Sequence, residues 1–297
     1  MLPLFADPFE AAISTEKELG AYEALWSKPK TSFGRLACEF RSGKVPSEVL
    51  GDDKEALQFY DSAHRIASGS KFDICVVGEY SFPKRLIASK HMPGLLYFRG
   101  SLSLALLPSV AVVGTRKPSE SGVKRTRQLV RGLVEQGWAI VSGLATGIDT
   151  AAHSESLACG GRTIGVIGTP IHEVYPAQNR ALQERLAAEH LLLSQVPICR
   201  YADQDYRMNR LFFPERNMTM AALSSATVIV EAGETSGSLI QAREALRQKR
   251  QVFILNSCFE KGLLWPDRLE KKGAIRVRSF DDIFSRLSFP SDASSGN

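Results

Sequence analysis

Several features are missing from this 297-residue chain, and each absence removes a class of function. No apolar run approaches the ~18–20 consecutive residues that a membrane helix needs, so no membrane role is expected. The opening MLPLFADPFE lacks the basic segment and long apolar stretch of a signal peptide. The five cysteines, Cys38, Cys75, Cys159, Cys199 and Cys258, are odd in number and scattered, with no Cys-x-x-Cys pair. Neither a disulfide framework nor a zinc site is expected, which fits a reducing cytoplasm. Gly-x-Gly-x-x-Gly, Walker A, a nucleophile elbow and a cluster of metal ligands are all missing. No cofactor and no catalysis are therefore expected. Charge of one sign is also scarce: 37 Lys and Arg against 32 Asp and Glu give a net +5. That balance is compatible with a polyanionic partner without requiring one.

What is present is an ordinary globular composition, 44% hydrophobic and 23% charged, with length for one large domain and a smaller piece. Residues 1–70 read as a small helical N-terminal region. Its helices fall at about Ala11–Trp26 and Glu48–Ala67, and Pro29, Gly34, Gly43 and Pro46 punctuate the stretch between them. After a strand at Asp73–Val77, residues 80–86 and 92–100 read as a lead-in arm laid over a larger sheet. Short apolar strands then alternate with helices: strands at Val110–Val113, Ala139–Val141, Thr163–Ile167, Leu191–Leu193, Thr227–Val230, Val252–Leu255 and Ile275–Val277. An irregular piece follows the fourth of these. This grammar predicts an α/β fold over residues 71–288, a Rossmann-like, doubly wound, mostly parallel sheet covered on both faces. Residues 289–297 read as a polar, disordered tail.

Ligands of such sheets bind at the carboxyl ends of the strands, and the distinctive loops fall there. Trp138–His153, WAIVSGLATGIDTAAH, is a strand, a Gly-spaced loop and a helix, an arrangement suited to cradling phosphate. Asp149 falls near the start of that helix and His153 one turn on; they read as an acid–base pair or as a cap and a packed imidazole. In Val113–Ser119, Gly114 permits a tight exit from the strand, and Arg116 can hold a phosphate bidentately; Arg116 and Lys117 can equally be a solvated charge pair. The next helix carries Lys124, Arg127 and Arg131, as a solvated face or a nucleic-acid contact. Tyr175 is either a platform for a base or packed on its own loop. In Leu211–Asn217, Phe213 and Arg216 can clamp a phosphate and stack a base, or form a core pair with a surface arginine. Val230–Leu239 brings Thr235, Ser236, Gly237 and Ser238 to a helix start, the strongest single anion signal, although Glu231 and Glu234 oppose it unless Glu231 is a structural acceptor.

Together, VAVVGTRKPSESG, AIVSGLATGIDTAAH, GGRTIGVIG, YPAQN, FPERN and GETSGSLIQAREAL occur in the order and spacing of the DprA/Smf family, which this chain resembles over residues 72–280. The lead-in YSFPKRLIASKHMPGLLYFRG resembles that family as well. The resemblance implies an extended Rossmann fold that binds single-stranded DNA in a basic pocket. It implies a homodimer and a recombination mediator that loads the RecA recombinase during natural transformation. Carried over position by position, the pocket uses Gly114, Arg116 with Lys117 beside it, Ser142, Gly143, Phe213, Arg216, Asn217, Ser236, Gly237 and Ser238. Arg116 takes the phosphate contact and Phe213 the base contact. The chain departs from the family pattern at Met218, Gln241, Asn256-Ser257 and Gln195-Val196-Pro197, which marks a divergent member. The C-terminal winged-helix-like domain that many members carry is not expected in this sequence, and residues 1–70 do not clearly resemble the family's usual small helical domain. The rival expectation is a nucleotide-binding Rossmann-like protein, a phosphoribohydrolase or a nucleotide sensor. Against it, GETSGSLIQ lacks the double glycine and the catalytic glutamate of those hydrolases.

Overall fold

The computed structural model describes residues 14–288. The first turn of the helix expected from Ala11 and the tail expected at 289–297 lie outside the described residues. Helices α1 (Thr15–Ser27), α2 (Phe33–Arg41), α3 (Pro46–Leu50) and α4 (Asp53–Ile66) open the chain. Strands β1 (Asp73–Val76) and β2 (Leu95–Gly100) follow. Then come β3 (Ser109–Gly114), α5 (Glu120–Glu135), β4 (Ala139–Ser142), α6 (Ile148–Ala158), β5 (Thr163–Ile167), α7 (Arg180–Glu189) and β6 (Leu191–Ser194). The crossover carries α8 (Ile198–Asp203), α9 (Tyr206–Asn209) and α10 (Phe212–Leu223). The chain continues with β7 (Ala226–Glu231), α11 (Ser238–Arg247), β8 (Gln251–Leu255), α12 (Trp265–Glu270), β9 (Ile275–Val277) and α13 (Asp281–Phe284).

One nine-stranded sheet runs β1-β2-β6-β5-β4-β3-β7-β8-β9. The seven strands from β3 to β9 pair in parallel, while β1–β2 and β2–β6 are antiparallel. Alternation along β3 divides the core. Val110 and Val112 face one cluster with Leu129, Val130 and Leu133 of α5. Ala111 and Val113 face the other, with Met220 and Ala221 of α10 and Leu239 of α11. A sheet covered on both faces needs strands that are apolar throughout, and β4 to β7 are buried along their whole lengths.

Four expectations are corrected. Residues 95–100 do not lie over the sheet; they extend it as β2. The outer edge of β6 would otherwise expose unpaired backbone groups, and Leu95, Leu96 and Tyr97 bury their side chains while pairing with it or with β1. The punctuated stretch between Pro29 and Pro46 contains α2, capped by Ser32, whose side chain accepts from Arg35 N at 3.3 Å. The helix expected at Glu48–Ala67 is two helices, because Gly51 turns left-handed at φ 70° and ends α3. The irregular crossover holds α8, α9 and α10.

The N-terminal helices share a core with the sheet. Trp26 and Phe33 lie 4.4 Å apart, and both meet Phe212 edge-on at 6.1 and 6.2 Å. Glu23 is fully buried yet accepts from Ile198 N at 2.8 Å, from Cys199 N at 2.9 Å and from the Tyr97 hydroxyl. These bonds satisfy the free N–H groups that open α8, and so fix the crossover from behind.

Candidate nucleic-acid interface

Strand β3 is the point from which the sheet grows both ways, through β4 on one side and β7 on the other. The loops after β3, β4, β5 and β7 therefore converge beside it. The β3 loop is held tightly from below. Gly114 leaves no room for a side chain: an added Cβ would sit 2.6 Å from Ile148 Cγ1 and from Glu231 O. Gly147, the residue before α6, has φ +86° and lies under the Arg116 carbonyl, 2.8 Å from where its own Cβ would be. A glycine is needed there for both reasons. The result pushes Arg116 and Lys117 outward, and both side chains are exposed.

Arg116 is the rim's central charge. Its guanidinium carbon lies 5.9 Å from the centroid of the Phe213 ring. Phe213, in the first turn of α10, is only partly buried and rests on Gly168, where an added Cβ would meet its Cδ1 at 2.6 Å. Tyr175 stands next to it, 5.6 Å between ring centroids and 49% exposed, so neither ring is sealed into the core. Two accessible aromatic faces next to an exposed arginine that forms no salt bridge among the described residues can offer stacking and charge to an unstacked base and its phosphate.

The floor is built differently. Arg216, one turn after Phe213 on α10, is buried; its Nη1 donates to Val166 O at 2.6 Å and its Nε to Asn217 Oδ1 at 3.0 Å. Burial lowers its pKa from the ordinary value, opposed by the charge of nearby Asp149. Asp149, also buried, is pushed up to about 6 by that burial, with the Arg216 charge pulling the other way. Gly143 lies between them: a Cβ there would stand 2.5 Å from Asp149 Oδ2 and 2.8 Å from Arg216 Cζ. Asn217 Nδ2 donates to Gly237 O at 3.0 Å and ties α10 to the Ser236–Ser238 turn. Ser142 is fully buried; its hydroxyl donates to Val112 O at 2.7 Å and lies against the Asp149 carboxyl, so it braces the floor and faces no solvent.

His153 is a packed imidazole. It bonds Gly143 O at 2.6 Å and the Thr163 hydroxyl at 2.7 Å, and burial lowers its pKa to about 4, keeping it neutral at pH 7. It steadies the β4 loop instead of working with Asp149. In the β7 loop the hydroxyls of Ser236 and Ser238 lie 2.7 Å apart, and Gly237 is exposed at the start of α11. The two carboxylates that opposed an anion here are engaged elsewhere. Glu231 accepts from Ser119 N at 3.2 Å and Ser119 Oγ at 2.9 Å and binds Lys261, and Glu234 accepts from Leu264 N at 2.6 Å. The basic face of α5 is partly neutralised, with Arg131 Nη2 2.6 Å and Arg127 Nε 3.9 Å from Glu155.

The structure thus gathers Arg116, Gly143, Phe213, Arg216, Asn217 and the Ser236–Ser238 turn in one cluster of loops, with Gly114 and Ser142 shaping its edge and Lys117 exposed next to Arg116 in the chain. Sequence reasoning gave no role to Gly147 or Gly168, paired Asp149 with His153 or made it a cap where it faces Arg216, and left Tyr175 undecided. The Gly-rich quotations contained both glycines. Nothing local signalled that Asp149 would face an arginine 67 residues on; that pairing needs α6 and α10 side by side.

Comparison with known proteins gives the following. The family model for DNA recombination-mediator protein A matches residues 73–288. The DNA processing protein DprA of Bacillus subtilis (strain 168) is 33% identical over 238 residues, 78% of each chain. That of Streptococcus pneumoniae is 36% identical over 230 residues, 77% of this chain and 79% of its own. The X-ray structure of DNA processing protein A from S. pneumoniae superposes with a TM-score of 0.75 at 31% identity, covering 94% of this chain and 99% of that one. The Helicobacter pylori protein, solved for its single-stranded DNA binding mode, superposes with a TM-score of 0.62 at 28% identity over 73% of this chain and 95% of its own.

Proposed function

The chain belongs to the family of DNA recombination-mediator protein A, and from that premise we propose that it binds single-stranded DNA at the loop cluster around Arg116 and Phe213. Membership makes it a DNA-processing protein of the recombination-mediator type. The observation that carries the binding reading is the exposed guanidinium of Arg116, without a salt bridge among the described residues, over the Phe213 ring that Tyr175 adjoins. Bases of a duplex are already stacked on one another and offer such rings no face, whereas those of a single strand do. Arg116 and Lys117, with the amides near Gly143 and Gly237, take the phosphates.

The pocket acts by holding the strand, without bond-breaking chemistry. What supports this is that the buried acid and imidazole of its floor are committed to the scaffold, His153 to Gly143 O and Asp149 to Arg216. The protein works in the cytoplasm as a homodimer and passes the coated strand to the RecA recombinase; family membership supports these steps. No described helix is long and apolar enough to cross a membrane.

The test is fluorescence anisotropy of a labelled single strand, with duplex of the same sequence as competitor, across a salt series. Preferential binding of the single strand that weakens steeply with salt is expected, because released counterions drive it. A flat salt dependence or duplex preference would count against this reading and favour a small nucleotide. Light scattering tests the dimer, and RecA nucleation on coated strand tests the hand-over.

A further inference from the structure

A second group of cations lies at the opposite edge of the sheet, where the strands begin. Arg85 Nη1 donates to Leu107 O at 3.4 Å, just before β3, and to Leu223 O and Ser225 Oγ at 3.3 Å, between α10 and β7. Arg250 directly precedes β8; its Nη1 donates to Ser224 O at 2.6 Å and its Nη2 to Arg85 O at 3.4 Å. The length of β3, about 17 Å at ~3.3 Å per residue, separates this edge from the loop cluster around Arg116.

The two guanidiniums are only partly accounted for by the fold. Leu223 O and Ser224 O end α10, so one nitrogen of each arginine satisfies a helix C-terminus. Arg85 Nε and Nη2 have no hydrogen-bond partner among the described residues, and neither arginine forms a salt bridge there. Burial holds both below the ordinary arginine value, Arg250 at about 10, and the charge of Arg85 presses on Arg250 as well. Lys84, exposed next to Arg85, has no partner among the described residues either. The acids of the neighbourhood are engaged. Glu244 accepts from Arg247 Nε and Gln248 Nε2 at 2.8 Å and from Lys90 N at 3.3 Å, and Glu79 accepts from the Ser81 hydroxyl at 3.0 Å.

Beside these cations runs a groove of about 250 Å³. Lys84, Arg85 and Pro83 line it together with Tyr80, Ala105 and Leu106. Tyr80 is 86% exposed and Leu106 48% exposed, so the groove offers apolar surface to a ligand next to uncompensated positive charge. It is smaller than the ~300–1,000 Å³ that encloses a small molecule, so it fits side chains of a longer ligand. A guanidinium edge matches a carboxylate bidentately. The walls of proline and aliphatic carbon give a strand of bases a single ring to stack on, which favours a peptide over a nucleic acid.

We propose that this edge docks an acidic peptide segment of a partner protein, with carboxylates on Lys84 and Arg85 and an apolar side chain between Tyr80 and Leu106. The proposal does not depend on the reading of the loop cluster as a single-strand site. If both hold, the protein carries a strand and this partner at once, on opposite edges of its sheet.

The test is fluorescence anisotropy on the full chain with labelled (Asp-Leu)3 and (Glu-Phe)3 peptides, beside neutral (Asn-Leu)3 and (Gln-Phe)3. Saturable, salt-sensitive binding of the acidic peptides alone is expected. Lys84→Glu should weaken it about tenfold, the scale of one charge-assisted bond, and Leu106→Ser about fivefold through lost apolar contact. Both side chains are exposed, so melting curves should match wild type. Single-stranded DNA added in excess should leave the peptide bound. No binding of the acidic peptides, equal binding of the neutral ones, or unchanged affinity in both variants would overturn the proposal. Displacement of the peptide by single-stranded DNA would overturn it too, and would assign these cations to a nucleic-acid path.

Discussion

Arg116 and Arg216 stand in the same cluster of loops and do opposite work. Arg116 is exposed and forms no salt bridge among the described residues, feeling Asp149 only as the weaker of that acid's two arginine neighbours, and its guanidinium lies near an open aromatic ring. Arg216 is buried, bonded to Val166 O and Asn217, and faced by Asp149. A buried charge must have its partners or it costs several kcal/mol, so the floor arginine is committed to the fold. An exposed charge costs little to hold and stays available to a ligand. In the proposed site the rim is the part left free to recognise a ligand, while the floor ties the β4, β5 and β7 loops together. Residue type alone does not distinguish the two; burial does.

Substitution should separate rim from floor, and the largest effect belongs to the floor. Arg216→Met leaves Asp149 without its opposite charge and Val166 O without its donor, and is expected to cost about 3 kcal/mol of stability. Urea denaturation at pH 7 checks this; a cost below ~1 kcal/mol would mean that the floor is not structural. Next in size is the pH response. Asp149 has a folded pKa of about 6 against 3.8 ordinarily, so its contribution is present below ~4 and is lost as pH rises through 6. His153 runs the other way, about 4 against 6.5, so its contribution is present above 6.5 and is lost as pH falls through 4. Across pH 4 to 6 the two oppose each other. Asp149→Asn removes one, and stability should then fall more steeply on acidification than in wild type, read from urea midpoints at successive pH values.

The rim substitutions act on affinity and spare the fold. Phe213→Ala should weaken single-strand binding about five- to tenfold, while Phe213→Trp retains it, because stacking needs only an aromatic face. Lys117→Ala has the smallest effect, about two- to threefold, with the salt slope reduced by about one. A uniform loss of stability across these rim variants would erase the distinction between rim and floor.

The central sheet was legible because its strands are four- to six-residue apolar runs ending in polar or glycine-bearing loops, as at Val110–Gly114 and Ala226–Glu231. The edge was not. Leu95–Gly100 joins the sheet by pairing with β6, nearly a hundred residues later, and nothing in its own pattern names that partner. In the site, Arg116 could be placed from its position after a strand-end glycine. The burial of Arg216 could not be read, because its partners arrive from β5 and α6, 50 and 67 residues earlier. Residues 29–46 misled for a local reason: prolines and glycines at both ends of α2 signalled a loop, while Phe33, Leu36 and Phe40 between them packed into the core.

The most direct measurement is the affinity of Arg116→Ala for a labelled single strand at low salt, beside wild type, with both melting curves recorded. The account predicts at least a tenfold loss, ~1.4 kcal/mol, in a variant that melts with wild type. Equal affinity in that folded variant would contradict it and take Arg116 out of the binding site.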